Sequence, residues 1–162
     1  MNRFHSFLAL PLLALAAGAA NAAEVSDTFD VSVTIQSTCS IDTQTAGNID
    51  FGSPKSDRTD IDSTGTLSIT CTPGTSYTVA LGDGTNNSGA GTDGRRMEGD
   101  GKFVPYQLYS DSSRTSVWGS TSGTVGGVGS GAAQDLTVYG RIPSANFPAG
   151  TYTDTVIATV EY

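Results

Sequence analysis

Asp27-Thr28-Phe29-Asp30-Val31-Ser32-Val33-Thr34-Ile35 sets Phe29, Val31, Val33 and Ile35 on one face of an extended chain and only polar residues on the other. Successive side chains of a strand point to opposite faces, so this alternation marks a half-buried β-strand. The same period recurs at 67–71 (Leu67-Ser68-Ile69-Thr70-Cys71), 77–81, 104–109, 136–142 and 151–162. These segments are rich in β-branched or aromatic residues and are bounded by Gly, Pro, Asp or Ser. A further segment, from about residue 35 to 41, carries the first cysteine. No window offers the three-to-four spacing of an amphipathic helix. The class is therefore all-β, with short strands and turn signals predicting one immunoglobulin-like Greek-key sandwich. Two stretches without the period, 82–101 and 119–133, read as long surface loops.

Six strands run from residue 35 to the end, whereas such a sandwich needs about seven. The expected domain is thus incomplete, with an open edge and a groove of apolar side chains. The strand at 27–35 is the candidate filler. It follows a leader-like segment in which Asn2-Arg3 precede an apolar run from Phe7 to Ala17 and then small residues to Ala23. That pattern predicts a secretory signal peptide, cleaved after Ala22 or alternatively Ala23. The run is too short to stay as a membrane span, so no membrane insertion is expected. The domains read as a signal peptide at 1–22, an N-terminal donor strand at 23–34 and the sandwich domain at 35–162. An alternating terminal strand beside an open groove suits strand addition between subunits. The alternative is a first strand that serves its own sheet.

The full chain has a formal net charge of −8, and removing Arg3 with the leader leaves 16 acidic residues and only scattered basic ones. Nucleic-acid binding, which relies on clustered Lys and Arg, is not expected. Cys39 and Cys71 both lie in the exported part, where thiols oxidise, and are expected to form one disulfide. Closing that loop would be worth roughly 3–4 kcal/mol in the chain-entropy model. Two free buried thiols are the alternative.

Catalysis finds little support. The single histidine, His5, leaves with the leader, so a Ser or Cys nucleophile has no ordinary base. No catalytic residue, metal or cofactor is expected. Carboxylates do cluster, at Asp57, Asp60 and Asp62 and around Asp83, Asp93, Glu98 and Asp100. They lack EF-hand spacing, and turns call for the same residue types. Trp118 with Tyr106, Tyr109 and Tyr139 suits either sugar stacking or, more ordinarily, core packing. Arg95-Arg96 suggests a salt bridge or an interface contact.

Several runs now carry a family likeness: Thr28-Phe29-Asp30-Val31-Ser32-Val33 leading to Ser37-Thr38-Cys39-Ser40-Ile41, then Ile49-Asp50-Phe51-Gly52 and Leu67-Ser68-Ile69-Thr70-Cys71. Tyr106-Gln107-Leu108-Tyr109-Ser110-Asp111, Leu136-Thr137-Val138-Tyr139-Gly140-Arg141-Ile142-Pro143 and Gly150-Thr151-Tyr152-Thr153-Asp154-Thr155-Val156 follow in order. Together they resemble the spore coat protein U domain family, to which subunits of archaic chaperone-usher pili such as the Csu pilus belong. The resemblance implies an incomplete immunoglobulin-like fold completed by a donor strand from another subunit. It also implies other pilus subunits, a periplasmic chaperone and an outer-membrane usher as partners, and an extracellular fibre serving adhesion or biofilm formation. Residues 25–33 match the donor segment, with Val25, Phe29, Val31 and Val33 along it, while Ile35 passes to the home domain. Val156, Ala158, Val160 and Tyr162, opposite Ile157, match the edge that accepts a chaperone or donor strand. A self-contained exported sandwich binding a glycan or protein surface, or a spore-coat or cell-surface matrix protein, is the alternative.

Overall fold

A computed structural model describes residues 22–43 and 48–162. The leader expected at 1–22 lies, through residue 21, outside the described residues. Residues 35–162 form one compact unit, and 22–34 are described by themselves.

Nine strands are present among the described residues: β1 (Cys39–Asp42), β2 (Thr59–Cys71), β3 (Ser76–Leu81), β4 (Arg96–Gly99), β5 (Lys102–Pro105), β6 (Gln107–Tyr109), β7 (Val125–Val128), β8 (Gln134–Ser144) and β9 (Ala158–Glu161). They form a four-stranded sheet in the order β1-β2-β8-β6, a three-stranded sheet in the order β7-β3-β9 and the β4-β5 hairpin. Every pairing is antiparallel. The alternation read from sequence decides which side chains turn inward. Leu67, Ile69, Cys71, Leu108, Val138 and Ile142 from one sheet meet Tyr77, Val79 and Leu81 from the other in a single core. Cys39 stands opposite Cys71 in the β1-β2 register, and the two form a disulfide.

The expected six strands become nine because weakly patterned chain also pairs. The 104–109 segment splits into β5 and β6: Pro105 has no N–H to give a ladder, and the Tyr106 N–H turns to the Arg95 carbonyl (3.1 Å). The loop expected at 82–101 contains a 3-10 turn, Gly91–Gly94, and β4. The loop expected at 119–133 contains β7, whose Gly127 lets the Tyr77 ring lie against the strand: a Cβ there would sit 2.5 Å from Tyr77 Cζ. At the ends the structure trims the reading, with β1 starting at Cys39 and β9 only at Ala158.

The arginine pair is also corrected. Arg95 is 1% exposed and makes no salt bridge among the described residues. Its Nε and Nη2 donate to the Gly82 carbonyl (3.0 and 2.7 Å), Nη2 also to those of Leu81 and Trp118 (2.9 Å each), and Nη1 to Gln107 Oε1 (2.9 Å). Arg96 stacks over the Phe103 ring at 3.7 Å and donates to the Asn86 carbonyl. Trp118 is core rather than sugar platform: it is buried, with Nε1 donating to the Val79 carbonyl (2.9 Å).

Candidate functional site

The 35–162 unit carries a cleft of about 1130 Å³. Leu67, Leu81, Val104, Leu108, Val138 and Ile142, all buried core residues, form part of its lining. One wall is the irregular segment 48–54, where Ile49 and Phe51 alternate with Asp50. Gly140 on β8 makes room for them, since a Cβ there would meet Phe51 Cζ at 2.8 Å and Ile49 Cγ2 at 3.0 Å. Ser63 Oγ donates to the Asp50 carbonyl (2.5 Å), and Asp50 Oδ1 accepts from the Gly52 N–H (2.7 Å), holding this wall to β2.

The opposite wall is the run 147–158, ending in β9. Its backbone is anchored on one side only. The Ile157 carbonyl accepts from the Gly82 N–H (2.8 Å) and the Thr155 carbonyl from the Thr85 N–H (3.0 Å). In an antiparallel ladder, alternate residues direct their N–H and C=O to opposite sides. Residues 155, 157, 159 and 161 therefore bond toward β3 and the chain after it, while the N–H and C=O of Val156, Ala158 and Val160 face away. On that far side no strand of the described residues pairs with β9. The side chains of Val156, Ala158 and Val160 are half-buried against the core, and the first two line the cleft. This is an apolar trough with an unpaired strand edge along one lip.

Asp154 fixes that lip. Its carboxylate accepts from Tyr106 Oη (2.7 Å), Thr85 Oγ1 (2.8 Å) and the Asn86 N–H (3.1 Å). Burial works to raise this carboxyl, but the bonds from Tyr106, Thr85 and the Asn86 and Thr155 backbones win and hold it below the ordinary range. Burial, then the bond to Asp154, pushes the Tyr106 phenol up. Asp62 is likewise held low, chiefly by its hydrogen bond from Arg141. A carboxyl lowered in the folded chain stabilises it above the ordinary carboxylate range and loses that contribution as pH falls through the folded value. The urea midpoint should therefore be level near pH 6 and drop as pH falls below about 4, and Asp154→Asn should flatten part of the drop.

Gly84 completes the lip. Its φ is +87°, and a Cβ would lie 2.1 Å from Asp154 Oδ2 and 3.2 Å from Tyr106 Oη. Gly84→Ala should cost about 2–4 kcal/mol of stability, from left-handed strain plus displacement of the carboxylate; urea unfolding checks it, and a loss under about 0.5 kcal/mol would show the loop yields freely.

The sequence-predicted residues fall into three groups. Cys39 and Cys71 join β1 to β2. Val156, Ala158 and Val160 stand on the lip, while Tyr162 lies beyond β9 and is 62% exposed. Val25, Phe29, Val31 and Val33 belong to 22–34, which forms no ladder and leaves them 94%, 86%, 85% and 84% exposed. Strand reasoning did not single out Ile49, Phe51 and Asp154 as site residues. The short alternation in Ile49-Asp50-Phe51-Gly52 was a signal for the first two; nothing in the pattern marks Asp154 as the hub of the lip.

The family model of the Spore Coat Protein U domain matches residues 25–159. Among curated proteins, Protein U of Myxococcus xanthus is 37% identical over 110 residues, covering 64% of this chain and 62% of Protein U. Among solved structures, the CsuC-CsuE chaperone-tip adhesion subunit pre-assembly complex from archaic chaperone-usher Csu pili of Acinetobacter baumannii contains a similar chain. That similarity has a TM-score of 0.59 and 25% identity, over 80% of this chain and 40% of that one. The chain thus spans less than two thirds of the length of either relative.

Proposed function

Because this chain belongs to the Spore Coat Protein U domain family, we propose that it is a structural, non-catalytic subunit of an exported surface fibre of the chaperone-usher kind. In this reading residues 25–33 leave their own chain and lie as a strand in the cleft of a neighbouring subunit. There the backbone would pair with the free edge at Val156, Ala158 and Val160, and Phe29, Val31 and Val33 would enter the apolar trough. A periplasmic chaperone would occupy the same edge before assembly, an outer-membrane usher would export the subunits, and the fibre would serve adhesion or biofilm formation.

One observation carries the proposal: the same chain has an apolar cleft with an unpaired strand edge and a segment of alternating apolar side chains exposed to water. Each alone is an aggregation hazard. Together they are complementary, since fully burying one such side chain is worth about 1.5–3 kcal/mol.

The test is to delete residues 23–33, co-express the remainder with the chaperone and usher of its own export system, and look for fibres by negative-stain microscopy. No fibres are expected, with the truncated subunit still recovered bound to the chaperone. Normal polymerisation would overturn the reading. A full-length mature chain that is a stable single species without any chaperone would favour the self-contained sandwich instead.

A further inference from the structure

The three-stranded sheet has a second edge, at β7, opposite the one that borders the cleft. Gly129 bonds back to the chain before β3: its N–H donates to the Thr75 carbonyl (2.8 Å) and its C=O accepts from the Gly74 N–H (2.9 Å). By ladder alternation Val125 and Gly127 also bond toward β3, and Gly126 and Val128 present their N–H and C=O outward. No strand among the described residues pairs there.

Natural edge strands are commonly guarded by charge, proline or a bulge. This one has none of the first two: residues 115–134 contain no charged side chain and no proline, nor does the adjoining β3. Val128 is 56% exposed on the same outer face as Ser76, Thr78 and Ala80. In a chain of net charge −8, two copies repel over most of their surface, and here that repulsion is absent. A strand edge is also self-complementary under a two-fold axis, because an antiparallel neighbour offers the same donors and acceptors in reverse.

We propose that β7 is a lateral docking edge for a second copy of this chain, with the two β7 strands antiparallel and Gly126 opposite Val128 of the other copy. The sheet then runs β9-β3-β7-β7-β3-β9 across the pair. Each contact is small, so it acts when many are presented in a row, as along a fibre, where multiplicity raises the effective concentration. The edge is separate from the cleft, so the contact does not depend on what fills the latter.

Cysteine crosslinking tests it. In this register Gly126 and Val128 of the second copy have Cα atoms about 5.5 Å apart, within disulfide reach, whereas like residues are roughly 8–9 Å apart, outside it. Full-length exported chains carrying Gly126→Cys are mixed with chains carrying Val128→Cys under mild oxidation and run on a non-reducing gel. A covalent dimer is expected from the mixture and lost in either variant alone. Equal yields in all three samples, or no dimer in the mixture, overturn the proposal. Gly126→Pro gives a second readout. A Cβ at 126 meets only the Tyr77 carbonyl oxygen at 3.6 Å, and the proline removes the outward N–H. Side-by-side pairing seen by microscopy should disappear; pairing undiminished in a folded Gly126→Pro chain also overturns the proposal.

Discussion

Replacing Phe29 or Val31 with aspartate is expected to abolish fibre formation while leaving folding, export and chaperone capture intact. Both side chains are more than four-fifths exposed in their own chain, so a carboxylate there disturbs no packing. In the proposed docking the same carboxylate enters a cleft whose lining includes Leu67, Val138 and Ile142 and also Asp50 and Asp154, with no basic group among the described lining residues. Burying an unpaired charge costs several kcal/mol even after relaxation, and the burial energy of the lost Phe or Val, about 1.5–3 kcal/mol, is forfeited as well. Together these exceed what a few ladder hydrogen bonds contribute, at about 1 kcal/mol each. The measurement is whether a ladder of subunit multimers forms on a gel, with microscopy alongside. Phe29→Leu should keep the ladder. A wild-type ladder from Phe29→Asp would mean that this side chain never enters the cleft.

Arg95→Leu should destabilise the 35–162 unit by about 3–5 kcal/mol. The substitution keeps apolar volume but strips the guanidinium from the carbonyls of Leu81, Gly82 and Trp118 and one of two donors from Gln107 Oε1, around a side chain that is itself 1% exposed. Arg95→Lys should recover only part of the loss, because an ammonium cannot reproduce the planar fork of donors. Urea unfolding followed through Trp118 fluorescence reads both. A loss below about 1 kcal/mol for the leucine variant would show that water replaces the guanidinium.

What the sequence made legible was whatever obeys period two. Leu67, Ile69, Tyr77, Val79, Val138 and Ile142 lie in segments read as alternating strands, and each is in the core. The strands that escaped are those whose pairing rests on something other than side-chain burial. In β7 the absence of a side chain is the packing feature, at Gly127 under the Tyr77 ring. In β4 the short run Arg96-Met97-Glu98-Gly99 pairs with β5 through a tight Asp100-Gly101 turn, both residues at positive φ. The buried guanidinium of Arg95 was unreadable for a further reason. Its partners are main-chain carbonyls at Leu81, Gly82 and Trp118 and the side-chain oxygen of Gln107, three separate stretches that no local pattern records. As for the cleft, the lip at Val156, Ala158 and Val160 was visible as an alternating strand, but the wall built by Ile49 and Phe51 depends on a glycine ninety residues away, Gly140.

The disulfide also has a mechanical meaning. If residues 25–33 are gripped by another subunit, any pull on them passes along the chain into the 35–162 unit and reaches its first strand at Cys39, the first residue of β1. β1 is four residues long and at the margin of its sheet, a ladder that tension would unzip early. Cys39 is covalently joined to Cys71 at the far end of the thirteen-residue β2. Load therefore bypasses the weak ladder and enters the longest strand, itself paired along ten positions with β8. The bridge acts as an anchor bolt at the point where tension enters, so reduction should lower the force at which the subunit yields far more than it lowers its resistance to urea.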